Sequence, residues 1–461
     1  MTSLVTSIGD ALWTYLLIGV LICCALWFTL KTGGVQFRMF GEMIRLLGDS
    51  GKSGEGKKIS SFQAFAVSVA TRVGTGNLAG VATAIAIGGP GAVFWMWLIA
   101  LLGSATAFVE STLAQLFKQK SKDSFIGGPA YYIEKGLRKH WLAALFAVLI
   151  TLTFGLAFTS IQSNTVCSAM NVAFGTDPKI TGIILSALSL LVVFGGIRRI
   201  ARVSSILVPV MALGYLALAL FVIFKHADMI PQVFRLIFEN AFGIGQIAGG
   251  GLGATIMNGI KRGLFSNEAG EGSAPNAAAT ASTSHPVKQG LIQALGVFTD
   301  TLLVCSCTAF IILFSGIGAD SGLNGIALTQ AALESDTGRF GVIFVTVAIS
   351  LFAYSSIIGN YYYGEANIRF LTRNPRVLLL FRIFSCGVFV LFGAVASLDL
   401  VWSIGDLFMA LLTAVNIFSI VMLGKLAFRL LEDYRRQKRA GIKEPEFHRS
   451  QMPDLDLDCW E

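Results

Sequence analysis

The sequence predicts an all-α polytopic membrane protein with eleven transmembrane helices, and three observations lead to that prediction. Hydrophobic residues make up 54% of the 461 residues and charged residues 13%, roughly half the charged share of a soluble protein. The apolar residues gather into runs of about 20 residues, the length with which an α-helix crosses the hydrocarbon core. The basic residues fall mostly in alternate connections between these runs. The runs lie near residues 11–30, 62–87, 91–117, 141–172, 180–197, 203–224, 242–265, 288–316, 338–364, 377–397 and 401–428.

The first span, near residues 11–30, stands apart from the other ten. Asp10 precedes it and no basic residue precedes Asp10, which is not the charge pattern of a cleaved signal peptide, so we expect the span to be retained. In the connector that follows, Phe37, Phe40 and Ile44 recur at helical spacing between charged residues. This pattern predicts an amphipathic helix lying on the inner membrane surface.

The remaining ten spans divide into two halves of five. Because each half has an odd number of spans, the two halves enter the membrane in opposite senses. The first span of each half is interrupted by glycine and polar residues, at 71–80 (TRVGTGNLAG) and at 249–282. Broken helices at matching positions of inverted halves are typical of secondary transporters with a site at the midplane. The predicted units are an N-terminal helix and connector, two five-helix repeats and a basic tail, at 1–60, 61–228, 229–430 and 431–461.

The distribution of the +8 net charge predicts the topology. Of the 35 lysines and arginines, 28 fall in one alternate set of connections, which places that side in the cytoplasm. We therefore expect a multi-pass protein of the plasma membrane (the inner membrane of a bacterium), with the N-terminus outside and the C-terminus inside. The charge is topological, so lipid is the expected partner and nucleic acid is not. After a basic helix, the polar residues beyond 441 are expected to be loosely ordered.

Residues Gly74, Gly76 and Ala79 match the glycine pattern of a dinucleotide-binding loop. That interpretation needs a preceding strand and an acidic residue about 20 positions on, and the sequence offers neither. Close helix packing would explain glycine but not the polar Thr75 and Asn77. An unwound membrane helix explains both, since its freed N–H groups can bind a carboxylate and its freed carbonyls can hold Na⁺.

Four segments resemble the alanine/glycine:cation symporters, also called sodium:alanine symporters. They are RVGTGNLAGVATA (72–84), GGPGAVFWMWLIALLG (88–103), GLFSNEAGEGSAPNAAATA (263–281) and FAYSSIIGNYYYGE (352–365). The resemblance runs through both halves. It implies a LeuT-type fold of two inverted five-helix repeats, coupling to Na⁺ and in some members to H⁺, and alanine or glycine as cargo.

The same resemblance implies roles for individual residues. Main-chain N–H groups at Thr75, Gly76 and Asn77 would face the substrate carboxylate. The sodium ligands would be the carbonyls of Ala70 and Val73 and the hydroxyls of Ser355 and Ser356. The substrate pocket would be lined by Phe265, Ser266, Asn267, Ser356 and Gln162, although an interhelical hydrogen bond is the alternative for Gln162. Asn360 would also line the pocket, and it stands where the family often has a bulky aromatic; a smaller polar residue there would enlarge the pocket, which leaves the choice between alanine and a larger neutral amino acid such as glutamine open.

Ionisable residues inside the membrane need a partner or a water-filled cavity. The sequence places eight of them in or beside the spans, namely Arg72, Glu110, Lys261, Arg262, Glu268, Glu271, Asp300 and Glu365. Glu268 and Glu271 would share a face if their segment were helical. We expect Arg72 and the Lys261/Arg262 pair to meet some of these carboxylates in a gate on the cytoplasmic side, with structural salt bridges as the alternative.

Sodium-coupled symport of a small neutral amino acid by alternating access is thus the predicted function. Proton coupling, through Glu110, Asp300 or Glu365, and a preference for glutamine are the alternatives within transport. A channel would show repeated pore-lining motifs instead of two unlike broken helices. A membrane enzyme would need a convergent acid–base or metal set, and the sequence shows none. We expect Na⁺ as the coupling ion, no organic cofactor and no obligate protein partner.

Overall fold

The structure, a computed structural model, describes residues 2–49, 59–121, 125–242, 251–318 and 321–460. These residues form a mainly helical bundle, with one short antiparallel strand pair, β1 (Gln119–Lys120) and β2 (Phe125–Ile126). Within the described ranges, eight helices are long and apolar enough to cross a membrane, and two more apolar helices are shorter. The prediction of a polytopic α-helical membrane protein is therefore confirmed.

The helices before the second half follow the predicted spans closely. The first is α1 (Val5–Lys31), and the connector after it forms α2 (Val35–Arg38) and α3 (Phe40–Asp49). The first predicted broken helix is present as α4 (Ser61–Arg72) and α5 (Gly76–Gly88). The following helices are α6 (Ala92–Leu116), α7 (Pro129–Tyr132, continued by the π-helical turn Ile133–Leu137), α8 (His140–Phe174), α9 (Pro178–Val193), α10 (Gly196–Lys225) and, after the 3₁₀ turn Ala227–Met229, α11 (Ile230–Phe242).

The predicted second half contains the span 242–265, of which residues 243–250 lie outside the described residues. Its broken helix consists of α12 (Gly251–Asn267) and α13 (Ala274–Ala278). The remaining helices are α14 (Pro286–Ser315), α15 (Ile326–Thr337), α16 (Arg339–Leu371), α17 (Pro375–Val395) and α18 (Leu398–Arg439), with a last 3₁₀ turn at Arg449–Gln451.

Packing brings the two broken helices into the centre of the bundle. The α4–α5 helix contacts α12, α14 and α16, while α6 packs along both α12 and α14. The N-terminal helix α1 lies outside this core against α6 and α18. The bundle has two ends. One, called the Asp10 end, contains the end of α5 and the starts of α12 and α18. The other, called the tail end, contains the end of α6 and the start of α14.

The residues after 441 are not loosely ordered, so that prediction is wrong. Phe447 and Trp460 are buried, and their rings pack edge to face at 5.3 Å. The Trp460 indole Nε1 donates to the carbonyl of Leu116 at 3.1 Å, and the Phe447 N–H donates to the carbonyl of Ser284 at 2.9 Å. The segment therefore lies across the tail end and joins α6 to the residues that precede α14.

Candidate functional site

The first helix break leaves two main-chain N–H groups without helical partners, and side chains accept from both. Helix α4 ends at Arg72, and the backbone of Val73, the next residue, is extended. The Gly74 N–H donates to Asn77 Oδ1 at 2.9 Å. The N–H and the hydroxyl of Thr75 both donate to Gln162 Oε1, at 3.0 and 2.7 Å. Gln162 on α8 therefore reaches the break, where its side-chain oxygen accepts the hydrogen bonds of Thr75.

At the second break the backbone leaves the helical conformation and enters the left-handed region. After Asn267, Glu268 adopts a φ of 56° and Gly270 a φ of 95°. The amide of Asn267 is used locally, because its Oδ1 accepts from the Ala269 N–H and its Nδ2 donates to Thr301. Because residues 268–273 are not helical, Glu268 and Glu271 do not share a helix face.

Asp300 on α14 connects the two breaks. Its Oδ1 accepts from Asn77 Nδ2 at 2.7 Å, and its Oδ2 accepts from the Ser266 hydroxyl at 2.7 Å. All three side chains are buried. The sequence showed Asp300 as a charge within a span but not as part of the site, since its partners lie 223 and 34 residues away.

Ser355 and Ser356 on α16 meet the carbonyl of Ala70, as the predicted sodium site requires. The Ser356 hydroxyl lies 2.9 Å and the Ser355 hydroxyl 3.4 Å from the Ala70 carbonyl oxygen. Both serines also donate to the carbonyl of Phe352. These oxygens are neutral and clustered at an unwound helix, which is the chemistry with which such sites hold Na⁺. Val73, the other predicted carbonyl ligand, is the residue at which the helix opens.

Glycine is required where the broken helices touch. A Cβ on Gly74 would fall well inside van der Waals contact with the Ser356 hydroxyl and 3.0 Å from Gln162 Oε1. A Cβ on Gly76 would lie 3.0 Å from the Cα of Ser266, which is backbone and cannot rotate away. The first break thus packs directly against the residues that line the candidate site.

Aromatic rings separate this site from a cavity at the Asp10 end. The ring of Phe265 packs against Phe158 on one side and Trp402 on the other, each at 4.7 Å between centroids. Beyond Trp402 lies a cavity of about 580 Å³, which is lined in part by Asp10 and Asp406. Its lining residues do not include the break at 74–77. Phe265 and Trp402 therefore form a lid between the cavity and the site.

Among the described residues, Lys261 and Arg262 pair with none of the five intramembrane carboxylates that were expected to form a gate with them, so that prediction is wrong. Arg262 Nη2 lies 2.6 Å from Asp406 Oδ2, and Lys261 Nζ lies 2.9 Å from Asp10 and 3.2 Å from Asp406. The two cations precede the break in α12 and face the Asp10 end, whereas Glu268 and Glu271 follow the break. The cations and the glutamates are close in the sequence, but they lie on opposite sides of the helix break.

Arg72 lies on the other side of the site, toward the tail end. Its Nη1 donates to the carbonyl of Gln293 at 3.1 Å, and its Nε and Nη2 have no hydrogen-bond partner in the described part of the chain. Within those residues no carboxylate oxygen comes within ion-pair distance of Arg72, so the expected pairing of Arg72 with one of the intramembrane carboxylates is not formed. Instead, Glu110 accepts from the Gly270 N–H and Glu268 from Ser273.

Two broken helices that meet in the core, with main-chain donors at the first break, are typical of secondary transporters. The chain belongs to the sodium:alanine symporter family, whose profile matches residues 1–449. The family predicted from the four sequence segments is therefore confirmed.

Three comparisons illustrate this membership. The chain is 53% identical to the probable sodium/glutamine symporter GlnT of Bacillus subtilis, over 98% of this chain and 94% of that protein. It is 43% identical to the putative sodium/proton-dependent alanine carrier protein YrbD of the same organism, over 100% and 98%. The solved structure of MhsT in complex with L-phenylalanine has the same fold, with a TM-score of 0.59 at 14% identity. That structure covers 82% of this chain and 99% of its own.

Proposed function

We propose that this protein takes up a small neutral amino acid, alanine or glycine in the first instance, by symport with Na⁺ and alternating access. The observation that supports the proposal most directly is the meeting of both helix breaks at Asp300, beside the N–H groups of Gly74 and Thr75. In this structure those N–H groups donate to the side-chain oxygens of Asn77 and Gln162, and a carboxylate oxygen could accept the same hydrogen bonds. The substrate carboxylate would replace Gln162 Oε1 on Thr75.

Sodium coupling follows from the same break. The Ala70 carbonyl is available to an ion because the helix opens after Arg72, and the hydroxyls of Ser355 and Ser356 complete a neutral oxygen cluster around it. Since Ala70 precedes the break and Thr75 follows it, a sodium ion and a carboxylate would stabilise the same local conformation. Binding of one would then favour binding of the other by thermodynamic linkage.

Charged residues on the two sides of the site suit alternating access. The Lys261–Arg262–Asp406 cluster and the Phe265–Trp402 lid control the Asp10 end. Arg72, with two unpaired nitrogen atoms, faces the tail end. We assign the Asp10 end to the outside and the tail end to the cytoplasm, in keeping with the basic connections at the tail end.

The proposal includes the architecture inferred from the sequence. Eleven helices would span the bacterial inner membrane, with the first preceding two inverted repeats of five. The repeats would occupy 61–228 and 229–430, each beginning with a broken helix, followed by the tail at 431–461. The remaining partners would be lipid alone, without nucleic acid, an organic cofactor or an obligate protein partner.

Uptake of labelled alanine into proteoliposomes under separately imposed gradients tests the proposal. We expect accumulation with an inward Na⁺ gradient, and accumulation with a pH gradient alone would overturn sodium coupling in favour of protons. The double variant Ser355→Ala/Ser356→Ala should lose its response to Na⁺. As a matched control, Ser350→Ala alters a half-buried hydroxyl on the same helix that bonds only to Thr346, and uptake should be unchanged.

A further inference from the structure

We propose that residues 442–460, which we call the C-terminal strap, keep the tail end of the bundle closed and thereby slow transport. This inference rests on the proposed function, because a segment across one end of a transporter limits its rate only if that end has to open. It gives an autoinhibitory role to the ordered segment that follows α18.

The candidate site is closed toward the tail end in this structure. Helix α4 leads from the tail end to the site, and all of its residues from 66 to 72 are buried. The helix contacts α13, α14 and α16 along the way. The cavity behind the Phe265–Trp402 lid lies at the Asp10 end instead. Release of a substrate toward the tail end therefore requires α4 to move relative to the helices that it contacts.

The start of α4 and the strap are attached to the same short link. Residues 279–285 join α13 to α14, and the Ser282 N–H donates to the carbonyl of Ile59, just before α4, at 3.1 Å. Two residues further on, the carbonyl of Ser284 accepts from the Phe447 N–H at 2.9 Å, and the Ser284 hydroxyl donates back to the strap at 2.9 Å. The strap therefore supports the link to which the start of α4 is bonded.

The strap also joins this link to three other elements at the tail end. Its Glu444 pairs with Lys288 in the first turn of α14 and lies 2.9 Å from Arg45 on α3. Near its other end, Asp458 lies 2.8 Å from Lys135 in the turn that continues α7, beside the indole that donates to α6. Movement of α14 and the link away from α6 would break these contacts, so the strap opposes opening of the tail end.

The contacts of the strap are weak enough to be released without unfolding the bundle. Its ion pairs use acids that are partly exposed, with side-chain exposures of 55% for Glu444 and 37% for Asp458. Exposed pairs contribute little and are screened by salt. The apolar side chains that anchor the strap are Phe447, Met452, Leu457 and Trp460. Segments with so few buried contacts open locally at a small fraction of the global unfolding free energy.

The test combines two measurements on the whole chain carrying Glu444→Gln/Trp460→Ala. The first uses Ser68→Cys as a reporter, because Ser68 is a buried residue of α4 between the tail end and the site. Its labelling by a water-soluble thiol reagent is quantified by mass spectrometry of the labelled peptide, which separates it from the native cysteines. Loss of the strap contacts should raise this labelling rate about fivefold, and the initial rate of Na⁺-driven alanine uptake into proteoliposomes about two- to fivefold.

Two further variants separate the strap from general effects at this end. Trp141→Ala removes an indole at the start of α8 that is 65% exposed and lies outside the strap, so it should change neither rate. Lys135→Asp should act like the double variant, and adding Asp458→Lys should reverse its effect by restoring the ion pair with exchanged charges.

Unchanged labelling of position 68 in both Glu444→Gln/Trp460→Ala and Lys135→Asp would overturn the inference. So would an uptake rate that does not rise in these variants. Failure of the unaltered protein to accumulate alanine under a Na⁺ gradient would instead overturn the proposed function, since the labelling experiment does not depend on transport.

Discussion

Asp406→Asn should destabilise the protein by about 3 kcal/mol, because it removes the charge shared by two buried cations. The Asp406 side chain is 10% exposed and lies 2.6 Å from Arg262 and 3.2 Å from Lys261, whose side chains are 5% and 6% exposed. Removing one partner of a buried ion pair costs about 3–5 kcal/mol, because the other charge is left uncompensated. Asp10 remains as a partner for Lys261, so we expect the lower end of that range.

The pair Arg235–Glu239 provides the control, since its atoms lie 2.7 Å apart but its side chains are 78% and 62% exposed. Glu239→Gln should leave stability unchanged within error, as exposed ion pairs contribute little. Unfolding in mixed micelles of increasing SDS content can be followed by the reactivity of Cys167 and Cys386, which are buried. The reasoning is refuted if Asp406→Asn costs no more than Glu239→Gln, or if Asp406→Asn and Arg262→Gln are additive within about 0.5 kcal/mol.

Three further predictions concern the break, the tail and pH. Gly74→Ala should abolish uptake while the protein still reaches the membrane, because the new methyl group collides with Ser356; normal uptake would contradict this. Trp460→Ala should increase protease cleavage after residue 441 at least tenfold, since the bonds to Leu116 are lost. Burial lowers the pKa of His285 from 6.5 to about 4, so the unfolded chain is protonated first as pH falls. The contribution of neutral His285 to the free energy of unfolding should thus be present above pH 6.5 and be lost as the pH falls toward 4, with about 2 kcal/mol lost at pH 5. His285→Gln should remove this part of the pH dependence.

The sequence was sufficient for features that are local along the chain. Glycine with threonine and asparagine inside an apolar run predicted the break after Arg72, and the structure opens the helix there. The length and spacing of apolar runs predicted most helices within a few residues. Ser355 and Ser356 were assigned from a resemblance, and the structure places them on the carbonyl of Ala70.

Features that depend on distant pairing could not be predicted in this way. Asp300 is one of several acids in apolar runs, and only the fold brings it to Asn77 and Ser266. The sequence suggested that Lys261 and Arg262 meet some of the acids that it marked in or beside the spans, but in the fold Arg262 pairs with Asp406, which was not among them. The order of the residues after 441 was missed for a different reason. Their few apolar residues are scattered among polar ones, without the periodicity of a helix or a strand.

The close contacts of Gly74 and Gly76 have a consequence for how this protein could diversify. Any side chain at either position collides with Ser356 or with the backbone of Ser266, so the residues at the first helix break have almost no freedom to vary. Laboratory evolution of substrate range should therefore leave Gly74 and Gly76 unchanged and yield its variants at other positions.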